Sequence, residues 1–131
     1  MIVDTSALIA ILRQEPEASR LSDAIDGASE VRISAGTLFE VCIVADRLRD
    51  PLIGRRLDDL CTRIPLIVVA PDETHVRVAR QAYRKFGKGS RHRARLNFGD
   101  CFAYALAKIS GEPLLFKGRD FSHTDVASAL K

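Results

Sequence analysis

The chain has 131 residues, 47% of them hydrophobic and 28% charged, which is enough for one packed core and excludes the disordered, fibrous and collagen-like classes. No apolar run approaches the roughly 18 residues of a membrane span, and the apolar N-terminus lacks a basic lead-in and is broken at Asp4, so the chain is read as cytoplasmic. A net charge of +3, from 20 Lys and Arg against 17 Asp and Glu, is too small by itself to mark a polyanion binder, so the distribution of charge has to carry any such reading.

Residues 1–4 read as a short buried strand and 5–12 as a first helix, which RQEPE interrupts before a second helix at 17–26. VRIS at 31–34 is a second strand, followed by a helix whose apolar character over 37–45 marks it as largely buried. Pro51 restarts an amphipathic helix over 52–63, with Leu52, Leu57, Leu60 and Cys61 at helical spacing. LIVVA at 66–70 is the clearest strand and Pro71 closes it. ETHVRVARQAYRKF is a helix that Gly87 ends, GKGSRHRARLN a polar loop made mobile by Gly87 and Gly89, and residues 97 or 98 to 110 a helix stopped by Gly111. LLF at 114–116 is a last strand, KGRDF a turn and TDVASAL a final short element. Strands buried on both sides with helices between them imply an α/β fold, a three-layer α/β/α domain with a mostly parallel central sheet, spanning residues 1–131 as one unit. Cys42, Cys61 and Cys101 are odd in number, lie in apolar surroundings and form no CxxC, so buried free thiols are expected.

Parallel sheets place their sites at the carboxyl ends of strands. Asp4 closes the first strand, Glu40 is the one charge in TLFEVCIVA, Asp100 is equally isolated in NFGDCFAYALA, and Asp120 follows the last strand by a short turn. Each has a local reading: Asp4 as a helix cap, Thr37 with Glu40 as a capping box, Asn97 with Asp100 as a near match to one, Asp120 as a turn cap. Capping explains Glu40 poorly, because a helix starting at Ser34 leaves it well inside the helix amid apolar neighbours, where an unpaired carboxylate is costly. Four carboxylates drawn together repel unless a cation neutralises them, and an all-oxygen set suits Mg²⁺ or Mn²⁺. Such an ion beside a phosphodiester would activate and orient a water. The hydroxyls of Thr5, Ser6 and Thr37 are candidates to hydrogen-bond a ligand carboxylate or a metal-bound water.

The second feature is RKFGKGSRHRAR at 84–95, in which Arg84, Lys85, Lys88, Arg91, Arg93 and Arg95 occur with no acid. A solvated surface run would look the same. Its place immediately before the helix of Asp100 instead suits a polyphosphate backbone engaged by many weak ionic contacts, which makes RNA a candidate partner.

With these motifs in view, the chain resembles PIN-domain endoribonucleases of the VapC toxin class from bacterial toxin–antitoxin pairs. The resemblance runs through MIVDTSAL, SAGTLFEV, LNFGDCFAYALAK and PLLFKGRDF, in order, over essentially the whole chain. It implies a compact α/β/α fold, Asp4, Glu40, Asp100 and Asp120 as an acidic metal-binding and catalytic quartet, and Ser6 as the hydroxyl beside the first Asp. It also implies Mg²⁺- or Mn²⁺-dependent cleavage of RNA, a homodimer, and a small cognate antitoxin across the active-site face. FKGRD departs from the more frequent TxD-type pattern, so Asp125 enters as a candidate additional acid. A metal-dependent phosphatase and a non-catalytic RNA-binding module are the competing readings. The first lacks the usual second Asp, since position 6 is Ser, and the second leaves the quartet unexplained.

Overall fold

The computed structural model describes residues 1–130. Four short strands, β1 (Ile2–Val3), β2 (Val31–Ser34), β3 (Leu66–Val69) and β4 (Leu114–Leu115), form one all-parallel sheet in the order β3-β2-β1-β4. Six helices separate them: α1 (Thr5–Leu12), α2 (Ala18–Asp26), α3 (Ala35–Arg47), α4 (Pro51–Arg63), α5 (Glu73–Phe86) and α6 (Phe98–Ser110). Residues 127–129 then bridge to β4 in parallel, with Leu114 N–H donating to Ala127 O at 2.8 Å.

The layers follow from the period-two alternation of the strands. Val3, Val31, Ile33 and Leu115 face a core shared with Leu8 and Leu12 of α1, Leu21 and Ile25 of α2, Val41 of α3 and Leu57 and Leu60 of α4. Ile2 and Leu114 face the opposite way, against Ala82 and Phe86 of α5 and Tyr104 and Leu106 of α6. The central β1 is therefore covered on both sides, as expected of parallel sheets. The clearest strand of the sequence is the exception: β3 is an edge, and its Ile67 and Val68 are 42% and 50% exposed. Hydrophobicity identified it as a strand but could not tell an edge from the middle. The thiol expectation also needs correction, since Cys101 is buried and Cys42 partly buried, but Cys61 is exposed on α4.

Two junctions decide where the functional side chains stand. At β1–α1 and β2–α3 no loop intervenes: Asp4 and Ser34 end their strands and cap the next helices, accepting from Ser6 N and Gly36 N. The chain runs β1 to β2 to β3 in one direction and then crosses to the other side of β1 for β4. That reversal opens a crevice at the carboxyl end of β1, the place where open α/β sheets bind ligands.

Candidate active site

Asp4 lies at the mouth of this crevice and is 2% exposed. One carboxylate oxygen, Oδ2, accepts from Ser6 N at 3.0 Å and Ser6 Oγ at 2.7 Å, and Ser6 Oγ in turn accepts from Lys117 N at 2.9 Å. The other oxygen, Oδ1, is buried without a protein partner. Burial is the main reason its pKa rises to about 6; the Ser6 bonds oppose the rise and the Glu40 charge adds to it.

Glu40 comes from the second turn of α3, whose cap is Ser34, so the helix begins where the sequence placed it and Thr37 is not the cap. Its carboxylate accepts from Thr5 Oγ1 at 2.5 Å and lies directly against Gly99 of α6, in the space that a Cβ there would fill. Asp100 stands at the third position of α6 and completes a reciprocal capping box: Asn97 N donates to Asp100 Oδ2 at 2.9 Å, and Asp100 N to Asn97 Oδ1 at 2.8 Å. It is both cap and clustered acid. Its pKa is pushed up to about 7 by burial, then by Asp4, Glu40 and Asp120, against the lowering effect of the Asn97 bond.

Asp4, Glu40 and Asp100, with Thr5, Ser6 and Asn97, line one cleft of about 310 Å³. Asp120 stays outside it, exposed at the start of a short turn (Phe121–His123), yet near enough for its charge to act on Asp100. Thr37 is fully buried with an unpartnered hydroxyl, and it meets the site only through its carbonyl, which accepts from Thr5 Oγ1 at 3.5 Å. Asp125 is elsewhere: it accepts from Tyr104 OH at 2.6 Å and pairs with Lys108 Nζ at 3.2 Å. Lys108 is two turns of α6 beyond Asp100, roughly 12 Å along the helix, and Asp125 is not among the charges that act on Asp100.

Glu15 is the acid that the sequence reading passed over. It lines the same cleft, brought there after α1 by Gln14, which takes a φ of 53° in the left-handed region, and by a bond from Glu15 N to Ala10 O. The only trace in the sequence is RQEPE, which announces a helix break but not the direction of the side chain.

The basic segment is less mobile than its glycines suggested. Lys88 N donates to Leu96 O and Leu96 N to Phe86 O, Ala94 and Leu96 are buried, and the His92 ring meets Phe86 edge-on at 5.0 Å. Gly87 is required because a Cβ would strike the Tyr83 carbonyl, not for freedom of motion. Arg84, Lys85, Lys88, Arg91, Arg93 and Arg95 all remain exposed on this braced scaffold, which feeds directly into Asn97 at the cleft.

The donor set fits a hard divalent cation in chemistry: oxygen ligands, an orphaned buried Asp4 Oδ1, and two carboxylates whose charges resist coming together. In their present rotamers, no three His, Cys, Asp or Glu side chains among the described residues are arranged to hold an ion. Glu40 is turned to Thr5, and Asp100 spends one oxygen on its cap.

The PIN domain family model matches residues 1–127. Ribonuclease VapC28 of Mycobacterium tuberculosis is 52% identical over 130 residues, covering 99% of this chain and 98% of its own length. Ribonuclease VapC42 of the same species is 47% identical over 129 residues, covering 98% of each. Among solved structures, Mycobacterium tuberculosis VapC20, a sarcin-ricin loop cleaving toxin, superposes with a TM-score of 0.72 at 19% identity, over 96% of this chain and 95% of that one. A toxin–antitoxin complex from Klebsiella pneumoniae gives 0.67 at 19% identity, over 92% and 89%. At that identity the two structures speak for the fold.

Proposed function

The chain belongs to the PIN domain family, and from that premise we propose that it is a metal-dependent endoribonuclease, the toxin of a toxin–antitoxin pair, acting in the cytoplasm as one domain over residues 1–131. The observation that carries the reading is the crowding of acids at the carboxyl end of β1, with Asp4 Oδ1 buried and unpartnered among them.

In this reading Asp4, Glu40 and Asp100 hold the Mg²⁺ or Mn²⁺ ion, with Asp120 closing the set from the rim. The bound ion supplies Lewis acidity and lowers the pKa of a coordinated water. The chain's own residues do the remainder. Ser6 holds Asp4 Oδ2 and leaves Oδ1 without a protein partner, Thr5 holds the Glu40 carboxylate, and Asn97 fixes the first turn of α6 and with it Asp100. The N-termini of α1 and α3, at the same rim, favour the charge of the scissile phosphate. Arg84, Lys85, Lys88, Arg91, Arg93 and Arg95 engage the RNA backbone beside it.

A second copy of the chain and an antitoxin are the proposed protein partners. A groove of about 640 Å³ between α5 and α6, with Val76 61%, Tyr83 44% and Phe98 79% exposed, offers an apolar face for a homodimer. Substituting Val76 and Phe98 by Glu is expected to yield a monomer by sedimentation, and an unchanged dimer would move the interface elsewhere. The nuclease reading is tested by incubating RNA with the protein in Mg²⁺ or Mn²⁺ and in excess chelator. Cleavage confined to the metal samples, giving 5′-phosphate and 3′-hydroxyl ends, is expected. Undiminished cleavage by metal-free protein, or 2′,3′-cyclic phosphate ends, would refute water attack at a metal.

A further inference from the structure

Lys117 belongs to neither the acidic cluster nor the basic segment, and it is fixed at both ends. Its N–H donates to Ser6 Oγ at 2.9 Å, so its backbone stands at the end of β4 beside the start of α1. Its Nζ donates to Glu15 Oε2 at 2.8 Å and lies 3.4 Å from Glu17 Oε2. Glu15 lines the acidic cleft, whereas Lys117 lines a neighbouring cavity of about 570 Å³ that also includes Arg20, Gly118 and Ser122. The Glu15–Lys117 pair is therefore the partition between two adjoining depressions.

Stability gives little reason for this arrangement. An ion pair this open to solvent adds little to stability, and here two carboxylates converge on one ammonium whose side chain is still 34% exposed. Charge placement gives a better one. Glu15 and Glu17 already offset the charge of Lys117, so what the arrangement supplies is a cationic donor fixed at the wall of a cleft lined by four acids: the Lys117 contact to Glu15 is the shortest ion pair to a cleft-lining acid among the described residues, and Arg13 follows at 3.8 Å. An ammonium has three donors, and the two carboxylates engage two of them.

We propose that Lys117 contacts the substrate: its ammonium binds the RNA phosphate next to the scissile one, where the strand leaves the acidic cleft, and Glu15 and Glu17 hold it in place. This inference rests on the nuclease reading. It assigns Glu15 a positioning role, which accounts for a fifth acid at a site that needs no further ligand.

The test compares wild type with Lys117→Met, Lys117→Gln and Lys117→Arg. Affinity for a labelled mixed-sequence single-stranded RNA oligonucleotide is measured in chelator against salt concentration, and single-turnover cleavage of the same RNA is measured in Mg²⁺. Loss of one phosphate contact is expected to weaken binding several-fold and to reduce the slope of log affinity against log salt by about 0.7 in the Met and Gln variants. Half-saturating RNA should rise more than the maximal rate falls, and Arg should restore the slope. Unchanged affinity and slope, with wild-type cleavage intact, overturn the inference alone; a lowered melting temperature with an unchanged slope does so too, marking the pair as structural. Absence of metal-dependent cleavage by the wild type overturns the nuclease reading and this inference with it.

Discussion

At the scale of single residues, the site depends on one absent side chain as much as on the acids. Glu40 reaches the cluster because Gly99 leaves room for its carboxylate against the first turn of α6. Gly99→Ala therefore puts a methyl where that carboxylate lies, and what must give is the end of a flexible side chain, not backbone. Within a helix the exchange gains about 0.5–1 kcal/mol of conformational entropy, so the variant is expected to melt within a few degrees of wild type while cleavage falls at least tenfold. Equal cleavage by Gly99→Ala would mean that Glu40 is dispensable at its observed position. Asp100 carries a related lesson: sequence reasoning set cap against ligand, and the side chain is a cap through Oδ2 while it shares the acidic cluster.

At the scale of elements, nearly every helix and strand was legible because caps, prolines and glycines mark their ends. Asp50 with Pro51, Asp72, Asn97 and Gly111 stand at the boundaries the sequence suggested, and Gly111 takes the φ of 67° that favours glycine. What stayed hidden depended on tertiary partners. The edge position of β3, the return of Glu15 to the cleft, and the pairing of Asp125 with Tyr104 and Lys108 all rest on contacts distant in sequence. The loop after α5 is the instructive case, because its six cations are exposed while its backbone is braced where the glycines suggested mobility. A braced loop presents its cations at fixed places, which costs less ordering on binding than a mobile one. Neutralising Lys88, Arg91, Arg93 and Arg95 together is expected to weaken RNA binding and lower its salt slope by about 3, with cleavage at saturating RNA largely kept. An unchanged slope would leave the segment as a solvated surface.

At the scale of the whole molecule, the cluster sets how stability depends on pH and metal. A carboxyl whose pKa is raised in the fold binds its proton more tightly folded than unfolded, so its contribution is fullest below the unfolded value and declines as pH rises through the folded one. For Asp4, at about 6, and Asp100, at about 7, the metal-free protein should lose stability between about pH 4 and pH 7 and then level off, the two together amounting to a few kcal/mol. Asp72 and Asp125 act in the opposite sense, since bonds from His75 N and from Tyr104 OH lower their pKa values; their stabilisation is lost as pH falls below the ordinary carboxylate range. The window between pH 5 and 8 therefore lies above the range in which these two carboxylates act. Asp100→Asn keeps an oxygen to accept from Asn97 N and removes one charge, so it should flatten the decline and make the metal-free protein at pH 8 about 1 kcal/mol more stable than wild type. Added Mg²⁺ should raise the wild-type melting temperature most at pH 8, where protons no longer compete for the ligands, and raise that of Asp100→Asn less. Thermal melts of both proteins across pH 5–8, with chelator and with Mg²⁺, measure all of this without an RNA substrate. A wild-type melting temperature that rises with pH in chelator would mean that the acids are held by partners other than one another, and the cluster would then be structural.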